Sequence, residues 1–278
     1  MNGERMRINV LQKKTALVVD DDVPVKLDLD DLSFSYNDLK VLKDINISLD
    51  DPKLISIIGP NGVGKSTLIH CINKILSPTT GCVMVNGIDN KEITYKDLAK
   101  IMGYVPYTTS NTFPISVTDA VLMGRHPHSG RNITDNDLRI VFETLEMLDI
   151  DDLAERSLNE LSAGQLQKVV LAKGIAQQPR VLLLDEPTSN LDIKHQVNVT
   201  KLLKKVSDEK GIMIIMICHD LNIAAKYSDK IIMMHDGTIF AVGTPLEVIT
   251  PENIETVYGI GCKIIDDNGR PHIIIGDD

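Results

Sequence analysis

The chain has 278 residues, with 29 Lys and Arg against 39 Asp and Glu, so its formal net charge is -10. Hydrophobic residues make up 43% and charged residues 24% of the chain, which is typical of a globular protein and excludes a disordered or collagen-like one. The acidic balance argues against broad nucleic-acid binding, which needs a basic surface. No apolar stretch reaches the roughly 20 residues that span a bilayer.

Residues 1–24 show no sustained periodicity, and we predict a mobile tail without the apolar segment of a secretory signal. The cysteines are widely spaced and form no CxxC pair, which predicts buried free thiols in a reducing compartment. They are Cys71, Cys82, Cys218 and Cys262. We therefore expect the protein to stay in the cytosol.

The first half of the chain begins with two segments, 25–29 and 45–49, whose apolar residues alternate as in half-buried antiparallel strands. The continuous apolar run Leu54–Ile58 predicts a buried strand that leads into a Gly-rich loop. A helix is predicted after this loop, because a set of apolar residues there shares one helical face. The set comprises Leu68, Ile69, Ile72, Ile75 and Leu76. Two short strands are predicted to flank the turn pair at 86–87.

The second half is predicted to be helix-rich from about 108 to 178. One helix has Leu138, Val141, Phe142, Leu145 and Leu148 at helical spacing, and another begins at Ser162. The buried strands Val181–Leu184 and 212–218 flank the helical segment 193–210, a pattern that indicates a parallel α/β sheet. A hairpin is predicted over 231–242, and another over the tail, 261–278.

A phosphate-binding loop is predicted directly after the first buried strand. Residues 59–66 fit the pattern G-x-x-x-x-G-K-[ST], in which glycines let backbone N–H groups converge on phosphate oxygens. The following helix directs its positive end at the same anion. Lys65 is expected to reach the β- and γ-phosphates, and the Ser66 hydroxyl to bind Mg²⁺. The predicted nucleotide contacts in this loop are Gly59, Pro60, Asn61, Gly62, Val63, Gly64, Lys65, Ser66 and Thr67.

A pair of carboxylates follows the strand Val181–Leu184. Asp185 is expected to hold Mg²⁺, and Glu186 is expected to polarise the attacking water as a general base. Acidic residues at strand ends are common on protein surfaces, so it is the phosphate loop upstream that favours a site at this pair.

Further motifs give the chain a family resemblance. The sequence Leu-Ser-Ala-Gly-Gln at 161–165, hereafter the signature segment, resembles the signature motif of ATP-binding cassette (ABC) ATPases. The sequence Ser-Asn-Leu-Asp at 189–192, the D-loop segment, resembles their D-loop. His219 resembles their switch histidine, and Tyr36 is placed like the aromatic residue that stacks on adenine. The resemblance covers about residues 26–258.

The resemblance implies a P-loop NTPase (RecA-like) α/β core with an antiparallel β subdomain and an α-helical signature subdomain, within an ABC ATPase domain at 25–260. It also implies a homodimer that binds ATP and Mg²⁺ between the phosphate loop of one copy and the signature segment of the other. Asp192 is then expected to couple the two sites, and His219 to hold the γ-phosphate and the attacking water. The residues expected to act in trans are Ser162, Ala163, Gly164 and Gln165.

The sequence departs from the family at Tyr107, where most members carry a glutamine that contacts Mg²⁺ and senses the membrane partner. A phenol can form hydrogen bonds, but it cannot act as a ligand in the way an amide does. We therefore predict slower or differently gated hydrolysis, and a non-catalytic nucleotide-binding regulator stays as an alternative.

Other segments resemble the ATPase subunits of iron-siderophore, haem and cobalamin importers; they lie at 113–117, 121–128, 192–196, 243–245, 250–254 and 257–260. This implies a peripheral ATPase at the cytoplasmic face of the membrane, with two permease subunits and an external substrate-binding protein. The segment around Arg125, expected to face the permease, favours transport over a soluble ABC ATPase of iron–sulfur cluster assembly. His126 and His128 are expected at the surface or an interface, because two histidines without a third ligand make a weak metal site.

Overall fold

A computed structural model describes residues 24–107, 114–129, 132–189 and 191–276 of the chain. The predicted N-terminal tail, except for Pro24, lies outside these residues. So do Phe113, which begins the first importer-like segment, and Asn190 of the D-loop segment.

Strands and helices alternate along the described chain. The strands are β1 (Leu27–Tyr36), β2 (Leu39–Leu49), β3 (Leu54–Ile58), β4 (Thr80–Val85), β5 (Ile88–Asp89), β6 (Met102–Val105), β7 (Val181–Leu184), β8 (Met213–Ile217), β9 (Lys230–His235), β10 (Thr238–Gly243), β11 (Cys262–Asp266) and β12 (Pro271–Ile275). The helices are α1 (Lys65–Ile72), α2 (Tyr95–Ile101), α3 (Val117–Leu122), α4 (Asp135–Met147), α5 (Ala163–Ala176), α6 (Ile193–Lys210), α7 (Leu221–Tyr227), α8 (Pro245–Val248) and α9 (Pro251–Tyr258).

Two larger sheets and one hairpin make up the β structure of the described residues. The first sheet is antiparallel in the order β2-β1-β4-β5, and the second has the order β10-β9-β3-β8-β7-β6. Strands β9, β3, β8, β7 and β6 are parallel to one another, and β10 closes that edge as an antiparallel strand. Strands β11 and β12 pair separately as an antiparallel hairpin in the tail. The predicted parallel α/β sheet and the antiparallel β subdomain are therefore both present.

The parallel sheet is buried on both faces, which explains why its strands are apolar without alternation. In β7, Leu182 and Leu184 belong to one core cluster, whereas Val181 and Leu183 belong to the other. The first cluster joins the sheet to the helical part of the chain, including α3, α4 and α5, and the second joins it to the antiparallel sheet. Successive side chains point to opposite faces of a strand, so the parallel sheet connects both subdomains.

Side-chain caps begin the helices that matter most for the site. Ser162 accepts a hydrogen bond from the Gln165 backbone N–H, as predicted for the start of α5, and the Gln165 side chain accepts one from the Ser162 backbone. Asp192 caps α6 and Asp220 caps α7 by accepting a backbone N–H. Each cap satisfies an amide that the helix itself leaves without an acceptor, so these three side chains fix where the helices start.

Two of the predicted helical faces were partly wrong. Helix α1 ends at Ile72, because Asn73 and Lys74 leave the helical conformation; Lys74 has φ 65°. Ile75 therefore lies outside the helix and is 56% exposed. In α4 the buried face runs through Ile140, Val141, Thr144 and Leu145, whereas Phe142 points outward.

The C-terminal hairpin is held against α7. The Asn222 side chain makes two hydrogen bonds with the Ile273 backbone, at 2.8 and 3.2 Å. Lys226 pairs with Asp267 at 2.9 Å, and Arg270 donates to the Ser228 carbonyl at 2.6 Å. The C-terminal hairpin thus packs on α7, the helix that follows His219.

All four cysteines are free thiols, but only Cys71 and Cys218 are buried, whereas Cys82 and Cys262 are partly exposed. Burial raises the pKa of both Cys71 and Cys218 to about 12.

Within the described ranges, no helix combines the length and the apolar character needed to cross a membrane.

Candidate nucleotide-binding site

Three segments of the candidate site lie at one edge of the parallel sheet. Strand β8 lies between β3 and β7, and all three run parallel. The phosphate loop follows β3, the pair Asp185 and Glu186 follows β7, and His219 follows β8. Parallel strands bring their carboxyl ends to the same edge, where α/β proteins bind their ligands. The fold therefore assembles residues that are far apart in the chain.

Glycine is required at two positions of the phosphate loop. Gly59 has φ 146°, and a Cβ atom there would lie 2.4 Å from the Met234 carbonyl oxygen. Gly64 has φ 99°, and its Cβ would lie 2.8 Å from Cδ2 of Leu42. Side chains at these positions would force the loop away from β9 and β2. The loop can therefore keep this conformation only with glycine at both positions.

Lys65 lies inside the loop it belongs to. Its Nζ donates to the carbonyl oxygens of Gly59 and Pro60, both at 2.8 Å, and the residue is only 6% exposed. Burial lowers the pKa of Lys65, while the negative charges of Glu186 and Asp185 act in the opposite direction. The ammonium group is thus held within the phosphate loop by two carbonyl acceptors, which phosphate oxygens can replace when a nucleotide binds.

Hard oxygen donors meet between α1 and β7. The Ser66 hydroxyl donates to Oδ1 of Asp185 at 3.0 Å. Next to this carboxylate, the Tyr104 phenol forms a hydrogen bond with Nε2 of His70 at 2.9 Å. Burial, followed by the Asp185 charge, raises the pKa of Tyr104 to about 12, so the phenol stays protonated and can donate. A hydroxyl beside a carboxylate is an oxygen ligand set that suits Mg²⁺.

Glu186 and His219 form a second pair at the strand ends. Nε2 of His219 lies 2.7 Å from Oε1 of Glu186. Glu186 has φ 51°, a left-handed conformation that is costly for a residue with a side chain. Both side chains are partly exposed and line the open side of the site.

Several of these residues border an open cleft of ≈ 680 Å³. Its described lining includes residues of the phosphate loop together with Glu186, His219 and Tyr36. The Tyr36 ring is 47% exposed and packs edge-on against Phe34 with a centroid distance of 4.8 Å. Leu39 and Val41 also line the cleft, and the sequence analysis missed both. Their position on β2, directly after the Tyr36 turn, was the available signal.

Residues 42–189, more than half of the chain, match the family described as ABC transporter. The chain belongs to the ABC transporter family. It is an ABC-type ATPase of that family, with the P-loop NTPase fold expected from its motifs.

Three ABC proteins show the extent of the likeness. An uncharacterised ABC transporter ATP-binding protein of Methanocaldococcus jannaschii is 44% identical over 248 residues, covering 89% of this chain and 97% of that protein. The iron(3+)-hydroxamate import ATP-binding protein of Bacillus subtilis is 38% identical over 244 residues, covering 87% and 90%. A solved metal-chelate type ABC transporter in an inward-facing conformation superposes with a TM-score of 0.79 at 26% identity, covering 92% of this chain and 98% of that one.

The signature segment lies away from the cleft of its own chain. Among the described residues, none of Ser162, Ala163, Gly164 and Gln165 belongs to the cleft lining. The first two are exposed at the start of α5, which packs on α3 and α4. Asp192 of the D-loop segment is also exposed, at the start of α6. These residues are thus available to a site outside their own chain.

Tyr107 lies just after β6 and is 42% exposed. It is not among the described residues that line the cleft.

The segment around Arg125 is predicted to face the permease, and the structure adds that the Arg125 side chain itself is buried. Arg125 is 4% exposed; it donates to Asp137 at 3.0 Å and to the Ala176 carbonyl at 2.8 Å. Its role is to fix the segment after α3 to the end of α5. The neighbouring His128 bonds to the Gln177 carbonyl at 2.8 Å. No group of three metal-binding side chains occurs in the part of the chain that the structure describes.

Tyr258, at the end of α9, lies in the importer-like segment 257–260, but its contact with the phosphate loop was not predicted. Its phenol lies next to the Gly59 backbone, and burial raises the pKa of Tyr258. Helix α9 is thereby tied to the first residue of the phosphate loop.

Proposed function

We propose that this chain is the ATP-hydrolysing subunit of an ABC importer that takes up a metal chelate, such as an iron-siderophore complex, haem or cobalamin. The observation that carries the proposal is the likeness, over nearly the whole length of both chains, to the Bacillus subtilis iron(3+)-hydroxamate import protein. The metal-chelate type transporter with a TM-score of 0.79 supports the same cargo class.

In this proposal the cleft binds ATP with its phosphates in the loop at 59–67. Lys65 exchanges its two carbonyl acceptors for phosphate oxygens, and the Tyr36 ring stacks on adenine. Ser66 and Asp185 hold Mg²⁺, which supplies positive charge that stabilises the terminal phosphates. Their 3.0 Å contact supports this pairing.

Glu186 is the general base in the proposed reaction. Its carboxylate accepts a proton from the attacking water, and His219 holds Glu186 and the terminal phosphate in register. Two neighbouring strands position these side chains, so little reorganisation is required when ATP arrives.

Two copies of the chain complete the site. The signature segment, exposed and remote from its own cleft, covers the ATP bound to the other copy, with the α5 N-terminus directed at the γ-phosphate. Asp192 links the two sites. The dimer docks under two permease subunits at the cytoplasmic face of the membrane, and an external binding protein delivers the cargo to the permease.

A second candidate, a slow or non-catalytic nucleotide-binding regulator, rests on one observation, the phenol of Tyr107 at the glutamine position. The cleft retains both Glu186 and His219 in contact, which favours the ATPase. A soluble assembly ATPase is disfavoured, because the similar proteins of Bacillus subtilis and Escherichia coli are named for import or transport of iron chelates.

Purification of the tagged chain from detergent-solubilised membranes of its own host tests the proposal. We expect a multi-spanning permease to co-purify, and proteoliposomes of the complex to take up an iron chelate only with ATP. The Glu186→Gln complex is the matched control and should bind ATP without uptake. An active ATPase without a membrane partner would support the assembly alternative, and ATP binding without turnover in the reconstituted complex would support the regulator.

A further inference from the structure

The starts of helices α5 and α6 meet in a contact between Gly164 and His195. A Cβ atom on Gly164 would lie 3.0 Å from Cδ2 and 3.3 Å from Nε2 of His195. The imidazole therefore fills the space that the missing side chain leaves. Gly164 belongs to the signature segment, and His195 lies three residues after Asp192 of the D-loop segment.

Asp192 fixes the orientation of this imidazole. One carboxylate oxygen, Oδ1, accepts the backbone N–H of His195 at 2.8 Å and lies 2.8 Å from Nδ1 of the same ring. Nδ1 donates to the carboxylate, so the opposite ring edge, Cδ2 and Nε2, is the part that faces Gly164. The helix cap and the ring contact thus share one carboxylate.

Gln196, the residue after His195, contacts the D-loop segment on the N-terminal side of Asp192. The Gln196 side chain donates to the Leu191 carbonyl at 3.0 Å, and Leu191 packs against the core. The backbone before Asp192 is thereby anchored, and the Asp192–His195 pair extends from an anchored point. The pair itself is half-exposed, with side chains 66% and 50% accessible.

We propose that His195 is a positioning residue that joins the signature segment to the D-loop segment, so that both meet the partner copy as one rigid unit. An exposed ion pair contributes little to folding, so fold stability does not explain the arrangement. A contact that is already ordered before association removes an entropy cost from dimer formation. The inference rests on the proposed homodimer, and its effect is expected on pairing rather than on nucleotide binding by one chain.

The first experiment measures ATP-induced pairing by analytical ultracentrifugation in the Glu186→Gln background. His195→Ala should raise the protein concentration at half-dimerisation about tenfold, the effect of losing one pre-ordered side chain. ATP affinity of the single chain and the thermal unfolding midpoint should not change. His195→Phe keeps a ring without the Nδ1 donor, and its half-dimerisation concentration should lie between those of the parent and His195→Ala. Lys201→Ala, an exposed change further along α6, is the control and should have no effect.

The second experiment reads the contact in the single chain without ATP, by hydrogen exchange. In His195→Ala the amides of Gln165 and Leu166 should exchange faster together with those of His195 and Gln196. Unchanged pairing, a parallel loss of ATP affinity, or faster exchange confined to α6 would each overturn the inference. If the Glu186→Gln parent does not pair, the proposed function fails, and the exchange result still decides whether His195 joins the two segments.

Discussion

Nε2 of His219 lies 2.7 Å from Oε1 of Glu186, across the ends of the adjacent strands β8 and β7. The two residues follow different strands and meet because those strands pair in register, Leu184 opposite Met216. The contact places a nitrogen donor on the proposed general base before any nucleotide binds.

Replacing His219 by Ala should therefore reduce ATP hydrolysis about 100-fold, since positioned acid–base groups contribute roughly that factor or more. ATP affinity should stay nearly unchanged, because the phosphate loop is intact. Single-turnover phosphate release and equilibrium ATP binding separate the two effects. His272→Ala, an exposed histidine on β12, is the control. Full hydrolysis by His219→Ala would show that the contact has no part in catalysis.

Alanine substitutions at two glycines of the phosphate loop should have different effects on ATP binding and stability. Gly59→Ala introduces a Cβ 2.4 Å from a backbone oxygen of β9, in addition to about 1–3 kcal/mol of backbone strain. Gly62→Ala shares a positive φ, 82°, but meets no atom within 4 Å. We expect Gly59→Ala to lose ATP binding and lower the unfolding midpoint, and Gly62→Ala to retain the fold. Equal midpoints for the two variants would contradict the close approach of the loop to Met234.

The buried pair of Arg125 and Asp137 should be important for stability. Both side chains are 5% exposed, and removal of one partner leaves an uncompensated buried charge, which costs about 3–5 kcal/mol. Arg125→Met should cause such a loss in urea unfolding, and the double change Arg125→Met with Asp137→Leu should recover part of it. Arg139→Met breaks the exposed pair with Glu143 and should cost less than about 1 kcal/mol. A double variant that is no more stable than Arg125→Met would argue against charge burial as the cause.

The same pair gives a pH dependence with a defined sign. Hydrogen bonds, first from Thr134 and then from Arg125, hold the pKa of the Asp137 carboxyl well below its usual range against the effect of burial. A depressed pKa in the folded state contributes stability that is complete above the unfolded value of about 4 and is lost as the pH falls. The stability difference between the wild type and Asp137→Asn should therefore shrink between about pH 5 and about pH 3, around the unfolded pKa. A difference that stays constant over that range would contradict the shift.

Tyr107→Gln introduces the amide that the family resemblance predicts at this position and should raise the rate of hydrolysis. Tyr107→Phe keeps the ring without the hydroxyl and separates a role of the phenol from a role of its bulk. Steady-state ATP turnover of the three chains in the membrane-reconstituted complex measures the effect. A rate unchanged by Tyr107→Gln would count against slower or differently gated hydrolysis in the natural chain.

Much of the fold could be predicted from local patterns. The runs at β3, β7 and β8 are continuous and apolar, and such runs are typical of strands covered on both faces. The capped start of α5 was predicted from Ser162, since a hydroxyl before a helical pattern satisfies the first amides. The end of α1 was not predicted, because Ile75 and Leu76 continue the apolar spacing and a backbone change at Lys74 ends the helix before them.

The sequence by itself determined which chemical groups the site contains, because the loop pattern, the two carboxylates and the histidine each follow a recognisable segment. Only the tertiary structure decided which of them touch. Strand order places β8 between β3 and β7 and so brings Glu186 to His219. It also turned Arg125 inward and set His195 against Gly164. Contacts of this kind depend on how elements distant in the chain pack, and short-range periodicity carries no information about that packing.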